Sequence, residues 1–399
     1  MTRSSTVRAV NALTARWAAV LPAGGTAFTT AGVWSLLALL ADGATGAVRK
    51  ELADAIGIPA DNAADQAREL LATIDAMPGV HSALGLWTHE ALPIEQRWLA
   101  ALPERVHGQL TGDAVSDQAR LDAWAATCTE GQIPSMPVTV EKDTQLVLAG
   151  ALTVRTDWIR PFTPDRIEAE AGPWRGKNLA GLFRVTALLN RVGVTQTPVG
   201  PVTVLDVLGT QGVDVHLFLG PEEASPGHVL TAAVRTLDNR RSVVQGDQLP
   251  YGTPGPGLTV ERVPSLDGEP ELLVETVPFT ITARHDLLEV PELFGLRTAT
   301  DRARGHFPGI SAEPLAVGAA AQTVTATFGA HGFRSASVTA LSVAGAGAGL
   351  PRYRYRVRRI SARFDRPFGF LAVHRTSRLV LNAGWITEPD AFEESSWEW

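Results

Sequence analysis

The sequence RFDRPFGFLAVHRTSRLVLNAGWITEP, residues 363–389, predicts a pair of β-strands that closes a large fold. Upstream of it, apolar runs such as TQLVLAGALTV and QTVTATFGA are separated by Gly and Pro turns, which predicts strands for most of the chain after Asp122. Residues 6–75 instead carry apolar residues at spacings of three and four, and this period is typical of helices. Helices first and strands later, without regular alternation, indicate an α+β fold rather than a doubly wound sheet.

The composition allows a large core and argues against several classes of partner. The chain has 399 residues, of which 45% are hydrophobic and 19% are charged. Its net charge is -7 and its basic residues are spread along the chain, so neither nucleic acid nor a membrane surface is an expected partner. No stretch approaches the eighteen or so apolar residues that a membrane span needs.

The N-terminus and the lone cysteine both favour a cytoplasmic location. The N-terminal sequence lacks an apolar stretch long enough for a signal peptide and predicts an amphipathic helix instead. Cys128 has no second cysteine to form a disulfide with, which is typical of a reducing compartment. We therefore expect the protein to be cytoplasmic, with Cys128 packed as a small hydrophobic residue.

Four blocks spread over nearly the whole chain resemble the serpin superfamily. They are TTAGVWSLLALLADGATG (29–46) with ELADAIG (51–57), LDAWAATCTEGQI (121–133) with TQLVLAGALTVRTDWIRPF (144–162), VPFTITARHDLLEVPELFGL (277–296) with HFPGIS (306–311), and the closing block 363–389. On these blocks the chain is identified as a divergent, bacterial-type member. The resemblance implies an α+β, serpin-like fold with N-terminal helices, a large mixed central sheet, further sheets and an exposed reactive-centre-type loop.

The same resemblance implies one domain over residues 1–399, with a mobile reactive-loop region at 330–351. Residues 390–399, DAFEESSWEW, form an acidic tail beyond the last family strand. This tail is interpreted as a short docking motif, as a cap packed against the body, or as a disordered terminus.

In an inhibitory serpin the reactive loop is cut by a protease and then inserts into the central sheet as a new strand. The resemblance places the hinge glycine at Gly332 and the first inward-facing side chain at Phe333. The reactive-loop and hinge residues are Gly332, Phe333, Arg334, Ser335, Ser337, Thr339, Ala346 and Gly347. Small inward residues suit insertion, but overpacking by the phenylalanine costs roughly 1–3 kcal/mol. The nominal cleavage point near Ala346-Gly347 indicates specificity for small residues.

A second departure concerns the polar cluster that serpins usually have under the central sheet, made of two serines, an asparagine and a histidine. The matching positions of this switch region are Thr29, Gly32, Gly150 and Gln322. Only the threonine and the glutamine can still form hydrogen bonds, so the resemblance implies that most of the network is lost. This loss is predicted to oppose inhibition more strongly than Phe333 does.

The segment PRYRYRVRRISARF, residues 351–364, places Arg352, Arg354, Arg356 and Arg358 on one face of a strand. Aligned guanidinium groups could bind an anion or an acidic partner. The alternative, which we favour, is an edge strand protected from aggregation by its charges.

The sequence names no reaction, because it contains no phosphate loop, nucleophile elbow or paired-carboxylate motif. We expect no cofactor and no metal, and no catalytic residue is identified; His81 and His89 lie too far apart in sequence for one metal site. The first hypothesis is a serpin that has lost protease trapping and binds a small apolar molecule or a protein partner. Within that hypothesis, a cofactor-independent cyclase or isomerase is the variant from the enzyme class. The alternative is a suicide inhibitor of a serine or cysteine protease.

Overall fold

The computed structural model describes residues 4–103, 106–136, 138–170, 172–333 and 354–392. Over these residues the chain forms eight α-helices, namely α1 (Ser4–Ala19), α2 (Thr30–Gly43), α3 (Gly46–Ile56), α4 (Ala63–Asp75), α5 (Gln96–Ala101), α6 (Ala114–Cys128), α7 (Pro226–Asp238) and α8 (Pro291–Phe294). The first four helices follow the apolar spacing of residues 6–75. In α2 nearly every side chain is buried, and Trp34 ties it to α3 by donating from Nε1 to the carbonyl oxygen of Ile56 at 2.8 Å.

The described residues also form nineteen strands. They are β1 (Thr26–Phe28), β2 (Val80–His89), β3 (His107–Leu110), β4 (Leu146–Val154), β5 (Thr156–Asp157), β6 (Thr163–Glu168), β7 (Asn178–Thr186), β8 (Val192–Thr197), β9 (Gly200–Val207), β10 (Val213–Leu219), β11 (Val243–Gln245), β12 (Leu258–Ser265), β13 (Glu271–Thr276), β14 (Phe279–Asp286), β15 (Val317–Phe328), β16 (Gly332–Phe333), β17 (Tyr355–Arg363), β18 (Phe368–His374) and β19 (Val380–Ile386).

These strands make three sheets. The central sheet has the order β3-β2-β4-β15-β16-β5, with β14 also paired to β15. Its β2–β3 and β4–β15 pairs are parallel and its other pairs are antiparallel, so it is a mixed sheet as the sequence predicts. The prediction of an α+β fold with N-terminal helices, a large mixed central sheet and further sheets is confirmed.

The core lies around the second sheet, whose order is β1-β19-β18-β10-β9-β8-β11. The closing block 363–389 supplies β18 and β19, which pair with each other in antiparallel fashion. Every residue of β19 is buried, because α2 and α7 pack against this strand. Such continuous burial explains why this block is apolar along almost its whole length.

The third sheet has the order β12-β17-β13-β7-β6. The strand β17 lies in its interior, antiparallel to β12 and parallel to β13. The favoured interpretation of the arginine-rich segment as an edge strand is therefore wrong. Alternating charged and buried residues do not distinguish an edge strand from an interior strand that has one face toward solvent.

Candidate functional site

The central sheet is closed where a serpin loop would insert. The strands β4 and β15 pair directly from Val317 to Val324, with Gln322 opposite Gly150. We call this pairing the seam. Every residue of β4 is buried, and small side chains such as Ala149 and Ala321 face each other across the seam. No other strand separates β4 from β15 over this length.

The four predicted switch residues meet beneath the seam. Gln322 donates from Nε2 to the carbonyl oxygen of Thr29 at 2.6 Å and accepts from the Thr29 amide at 2.9 Å. The Thr29 hydroxyl is buried without a hydrogen-bond partner among the described residues. The threonine and glutamine thus form a pair, as expected, although the threonine contributes its backbone rather than its hydroxyl.

Leu84 occupies the room that larger side chains would need at the two glycines of the switch region. A Cβ atom built at Gly32 would lie 2.6 Å from Leu84 Cδ2, whereas one built at Gly150 would lie 3.7 Å from the same atom. An apolar side chain of β2 therefore fills space at both positions. Because apolar packing takes the place of polar groups here, fewer buried groups need hydrogen-bond partners.

The chain immediately after β15 is fastened to the segment that follows β5. The amide of Trp158 donates to the carbonyl oxygen of His331 at 2.8 Å, and the amide of Phe162 donates to that of Ala330 at 2.8 Å. The indole Nε1 of Trp158 donates to the carbonyl oxygen of Gly329 at 2.9 Å. We call residues 329–333 the hinge segment. Its residues 330–333 belong to the predicted mobile region, but hydrogen bonds fix them here.

The strand β16 completes this attachment by pairing Gly332 with Asp157 and Phe333 with Thr156. A Cβ atom at Gly332 would lie 2.4 Å from the carbonyl oxygen of Thr156, so glycine is needed for the two backbones to approach. The glycine identified as a hinge is in close contact with a neighbouring strand.

Phe333 is buried in an aromatic cluster. Its side chain is 1% exposed, and its ring centroid lies 5.9 Å from that of Phe370. Phe370 contacts Phe279 at 5.1 Å, and Phe279 stacks on Phe328 at 5.4 Å. The sequence predicts a cost when Phe333 inserts into the sheet, and the structure adds a cost for removing it from this cluster, about 1.5–3 kcal/mol.

The other predicted loop residues, Arg334, Ser335, Ser337, Thr339, Ala346 and Gly347, lie outside the described residues. Arg352 of the predicted anion strand lies outside them as well. Of the rest of that strand, Arg356 donates to the carbonyl oxygen of Arg262 at 3.4 Å. Arg358 donates to the carbonyl oxygens of Gly246 and Leu249. Backbone carbonyl groups thus engage two of the predicted anion-binding side chains.

Sequence analysis missed the partners of the hinge segment, although it quoted both of them. Trp158 and Phe162 belong to the block 144–162, in which they serve only as landmarks of the resemblance. Their separation of about 170 positions from Gly329 leaves no local pattern that could link them. Among the described residues, no three His, Cys, Asp or Glu side chains converge as metal ligands. No helix in the described part of the chain has the length and apolarity of a membrane span.

Comparison with known proteins gives sequence matches over part of the chain. A family model described as Serpin (serine protease inhibitor) matches residues 6–173. Putative serpin-Z12 of Oryza sativa subsp. japonica is 28% identical over 137 residues, which are 32% of this chain and 32% of that protein. Putative serpin-Z6A of the same plant is 32% identical over 149 residues, or 34% of this chain and 38% of that protein. The matched stretches thus span about a third of the length of these relatives.

Similarity to solved structures extends over nearly the whole chain. Human thyroxine-binding globulin in complex with thyroxine has a TM-score of 0.74 and 15% identity, covering 98% of this chain and 99% of that chain. Native protease nexin-1 with heparin has a TM-score of 0.72 and 17% identity, covering 97% and 99%. At these identities the structures show a shared fold, and the family model and the quoted motifs agree with it. The chain has a serpin-like fold, and its residues 6–173 match the serpin family model.

Proposed function

We propose that this protein is a serpin-fold binding protein that does not trap proteases. The observation that carries the proposal is the attachment of the hinge segment, in which Phe333 is buried and residues 329–331 are bonded to the segment after β5. A reactive loop can enter the seam only if the chain after β15 first swings away from these partners. Insertion therefore begins by breaking packing and hydrogen bonds that the resting protein already has.

The height of this barrier decides whether a protease is trapped. Trapping requires that the loop inserts faster than water hydrolyses the bond between the loop and the protease. Exposing the Phe333 side chain alone costs about 1.5–3 kcal/mol. If this cost adds fully to the activation free energy of insertion, insertion slows by about 10- to 150-fold. Each broken backbone hydrogen bond adds about 0.5–1.5 kcal/mol. A protease would then complete hydrolysis and leave, and the loop would behave as a substrate.

The binding role is supported by a cleft between α4, β2 and α6. Its volume is about 450 Å³, within the range of small-molecule sites. Leu71, Leu84 and Trp124 give it an apolar part, and Asp75 and Glu130 are among its polar lining residues. Thyroxine-binding globulin, which shares this fold, was solved with a small molecule bound. We propose a small apolar molecule as the ligand and, because Cys128 is the lone cysteine, the cytoplasm as the location.

Proteolysis tests the loss of trapping. The protein is incubated with elastase or subtilisin, analysed on a denaturing gel, and then unfolded by heat. We expect cleavage between residues 334 and 353, no covalent adduct, and a melting temperature that stays within about 2 °C of that of the uncut protein, a shift that corresponds to less than about 2 kcal/mol for 399 residues. A covalent adduct together with a large rise in melting temperature would show that trapping is intact and would refute the proposal.

A suicide inhibitor is the second candidate, and the closed seam favours it. Direct pairing of β4 with β15 is the state from which a loop can still insert. The side chains that face each other there are small, so an inserting strand would have to displace few atoms. The variant Phe333→Thr separates the two candidates. If the hinge phenylalanine is what prevents trapping, the variant gains an adduct with elastase that the natural protein lacks. An adduct formed equally by both proteins would favour the inhibitor.

A further inference from the structure

A small positively charged cleft lies between the end of β7, the turn before β8 and the segment after β5. Its volume is about 50 Å³, and three arginines line it: Arg160, Arg184 and Arg191. Among the described residues, none of the three forms an ion pair with a carboxylate. The Nε atoms of Arg184 and Arg191 are buried without a hydrogen-bond partner there. Donors of this kind are strongly unfavourable unless an acceptor reaches them.

Two of the three guanidinium groups are held in place by neutral partners. Arg160 donates from Nη1 to the Thr186 hydroxyl at 2.8 Å, and Arg184 donates from Nη1 to the carbonyl oxygen of Arg160 at 2.9 Å. The Arg184 guanidinium also lies 4.2 Å from the centroid of the Phe162 ring. These contacts orient the side chains and leave their charges without compensation. Burial, together with the like charges of Arg160 and Arg191, lowers the pKa of Arg184 to about 10.

Asp206 also lines this cleft, but His216 and Arg240 already contact its carboxylate. Its Oδ1 lies 2.6 Å from Nδ1 of His216, and its Oδ2 accepts from Arg240. Burial alone would raise the pKa of Asp206, yet His216 and Arg240 together outweigh burial and hold that pKa well below its usual range. The carboxylate is therefore already paired, and the charges of the three lining arginines exceed the negative charge available to them.

The rim of the cleft is apolar and exposed. Ile159 is 52% exposed and Leu188 is 39% exposed, and both line the cleft. The cleft is large enough for a carboxylate group but far smaller than a site for a whole drug-sized molecule. An occupant must therefore insert an anionic group while an apolar part of it covers the rim, which is how an acidic and aromatic peptide segment would bind.

We propose that this cleft binds the acidic tail, residues 393–399, of a second copy of the chain. That tail has the sequence EESSWEW, whose three glutamates match the three unpaired arginines and whose two tryptophans suit the apolar rim. Arginine binds carboxylates through paired hydrogen bonds and stacks on tryptophan. The inference is independent of the proposed function, since neither the hinge segment nor the ligand cleft takes part in it.

The direction of the chain favours a second copy over the same molecule. Ala391 forms an antiparallel bridge with Leu179, and the amide of Phe392 donates to the carbonyl oxygen of Asn178 at 3.3 Å. The chain therefore leaves β7 at the end remote from Arg184, which is about 20 Å away at 3.3 Å per residue. To enter this cleft of its own molecule, the tail would have to turn back along β7, whereas the tail of a second copy can approach the cleft from outside.

Sedimentation of the full-length protein at increasing concentration tests the proposal. We expect reversible self-association that weakens as salt is raised, because screening reduces the attraction. Arg191→Gln should weaken association by about 10- to 100-fold, corresponding to the loss of one charge-assisted hydrogen bond. This variant removes no side-chain hydrogen bond among the described residues. Arg304→Gln makes the same charge change at an exposed arginine outside the cleft, and it should leave association unchanged.

A double-mutant cycle identifies the tail as the occupant. The triple variant Glu393→Gln, Glu394→Gln, Glu398→Gln should weaken association to a similar degree, and adding Arg191→Gln to it should have little further effect. A synthetic peptide of residues 390–399 should compete with self-association. Sedimentation as a monomer at every concentration, or additive effects of the two sets of substitutions, would overturn the proposal.

Discussion

The seam and the hinge segment are neighbouring parts of the same sheet, yet they are held in different ways. In the seam, small side chains such as Ala149 and Ala321 face each other, and Gln322 makes two hydrogen bonds to Thr29. In the hinge segment, an aromatic side chain is buried and the backbone is bonded to another part of the chain. On the proposed function, resistance to loop insertion lies mainly in the hinge segment, whereas the family resemblance puts more weight on the altered switch residues.

The largest expected effect comes from removing the aromatic side chain of the hinge segment. Phe333→Ala should lower the free energy of unfolding by about 3–5 kcal/mol, because it leaves a cavity beside Phe370. Chemical denaturation measures this loss. Phe333→Leu fills most of the same space and should cost less than about 1.5 kcal/mol. Equal, small losses in both variants would mean that the ring does not hold the hinge segment.

The next effect concerns the hydrogen bonds beneath the seam. Gln322→Leu leaves the buried amide and carbonyl group of Thr29 without partners and should cost about 2–4 kcal/mol, from two groups at about 1–2 kcal/mol each. The exposed Gln196→Leu serves as the control and should change stability by less than about 0.5 kcal/mol. A loss for Gln322→Leu no larger than that of the control would show that the seam does not need this pair.

The two glycines of the switch region should respond differently to the same substitution. Gly32→Ala places a Cβ atom 2.6 Å from Leu84 Cδ2, and we expect a loss of about 1–2 kcal/mol as that side chain moves. Gly150→Ala makes an ordinary contact at 3.7 Å and should stay within about 0.5 kcal/mol of the natural protein. Thermal and chemical unfolding of both variants would settle the order. The reverse order would mean that Leu84 does not define the space beneath the seam.

The smallest effect is a dependence on pH from His285, which pairs with Gln322 across β14 and β15. Burial lowers the pKa of His285, although a hydrogen bond to Ala27 and the charge of Glu289 oppose that shift. The folded protein therefore favours the neutral ring. The contribution of His285 to the free energy of unfolding is fully present above about pH 6.5. It decreases as the pH falls toward the lowered pKa of His285.

Comparison of variants isolates that contribution. The free energy of unfolding of the natural protein should decrease between pH 7 and pH 5.5, because protonation of His285 favours the unfolded chain. His285→Gln should reduce the slope in this interval. An unchanged slope in the variant would assign the pH dependence to other groups.

Much of the fold could be predicted because the sequence features that indicate it are local or are shared with the family. The apolar spacing of residues 6–75 gave the first four helices, and the closing block gave β18 and β19. The positions of the switch residues could also be predicted, since they follow from motifs of fixed order. Their meeting under one seam agrees with that alignment.

What could not be predicted depends on neighbours that are distant in sequence. The interior position of β17 is set by β12 and β13, which pair with its two edges, and its own alternation carries no information about them. The attachment of Gly329 to Trp158 joins residues that follow two different strands. Arg160, Arg184 and Arg191 have no carboxylate partner within the described part of the chain, and this depends on which acids lie near them in space, which a sequence pattern does not encode.

The central claim is that cleavage after the hinge segment does not open the seam. A crystal structure of the protein after elastase or subtilisin has cut between residues 334 and 353 would test it most directly. We predict that Gln322 still lies opposite Gly150, with β4 and β15 about 4.8 Å apart as adjacent strands. A new strand between them, at a separation of about 9.6 Å and with Phe333 removed from its cluster, would contradict the account.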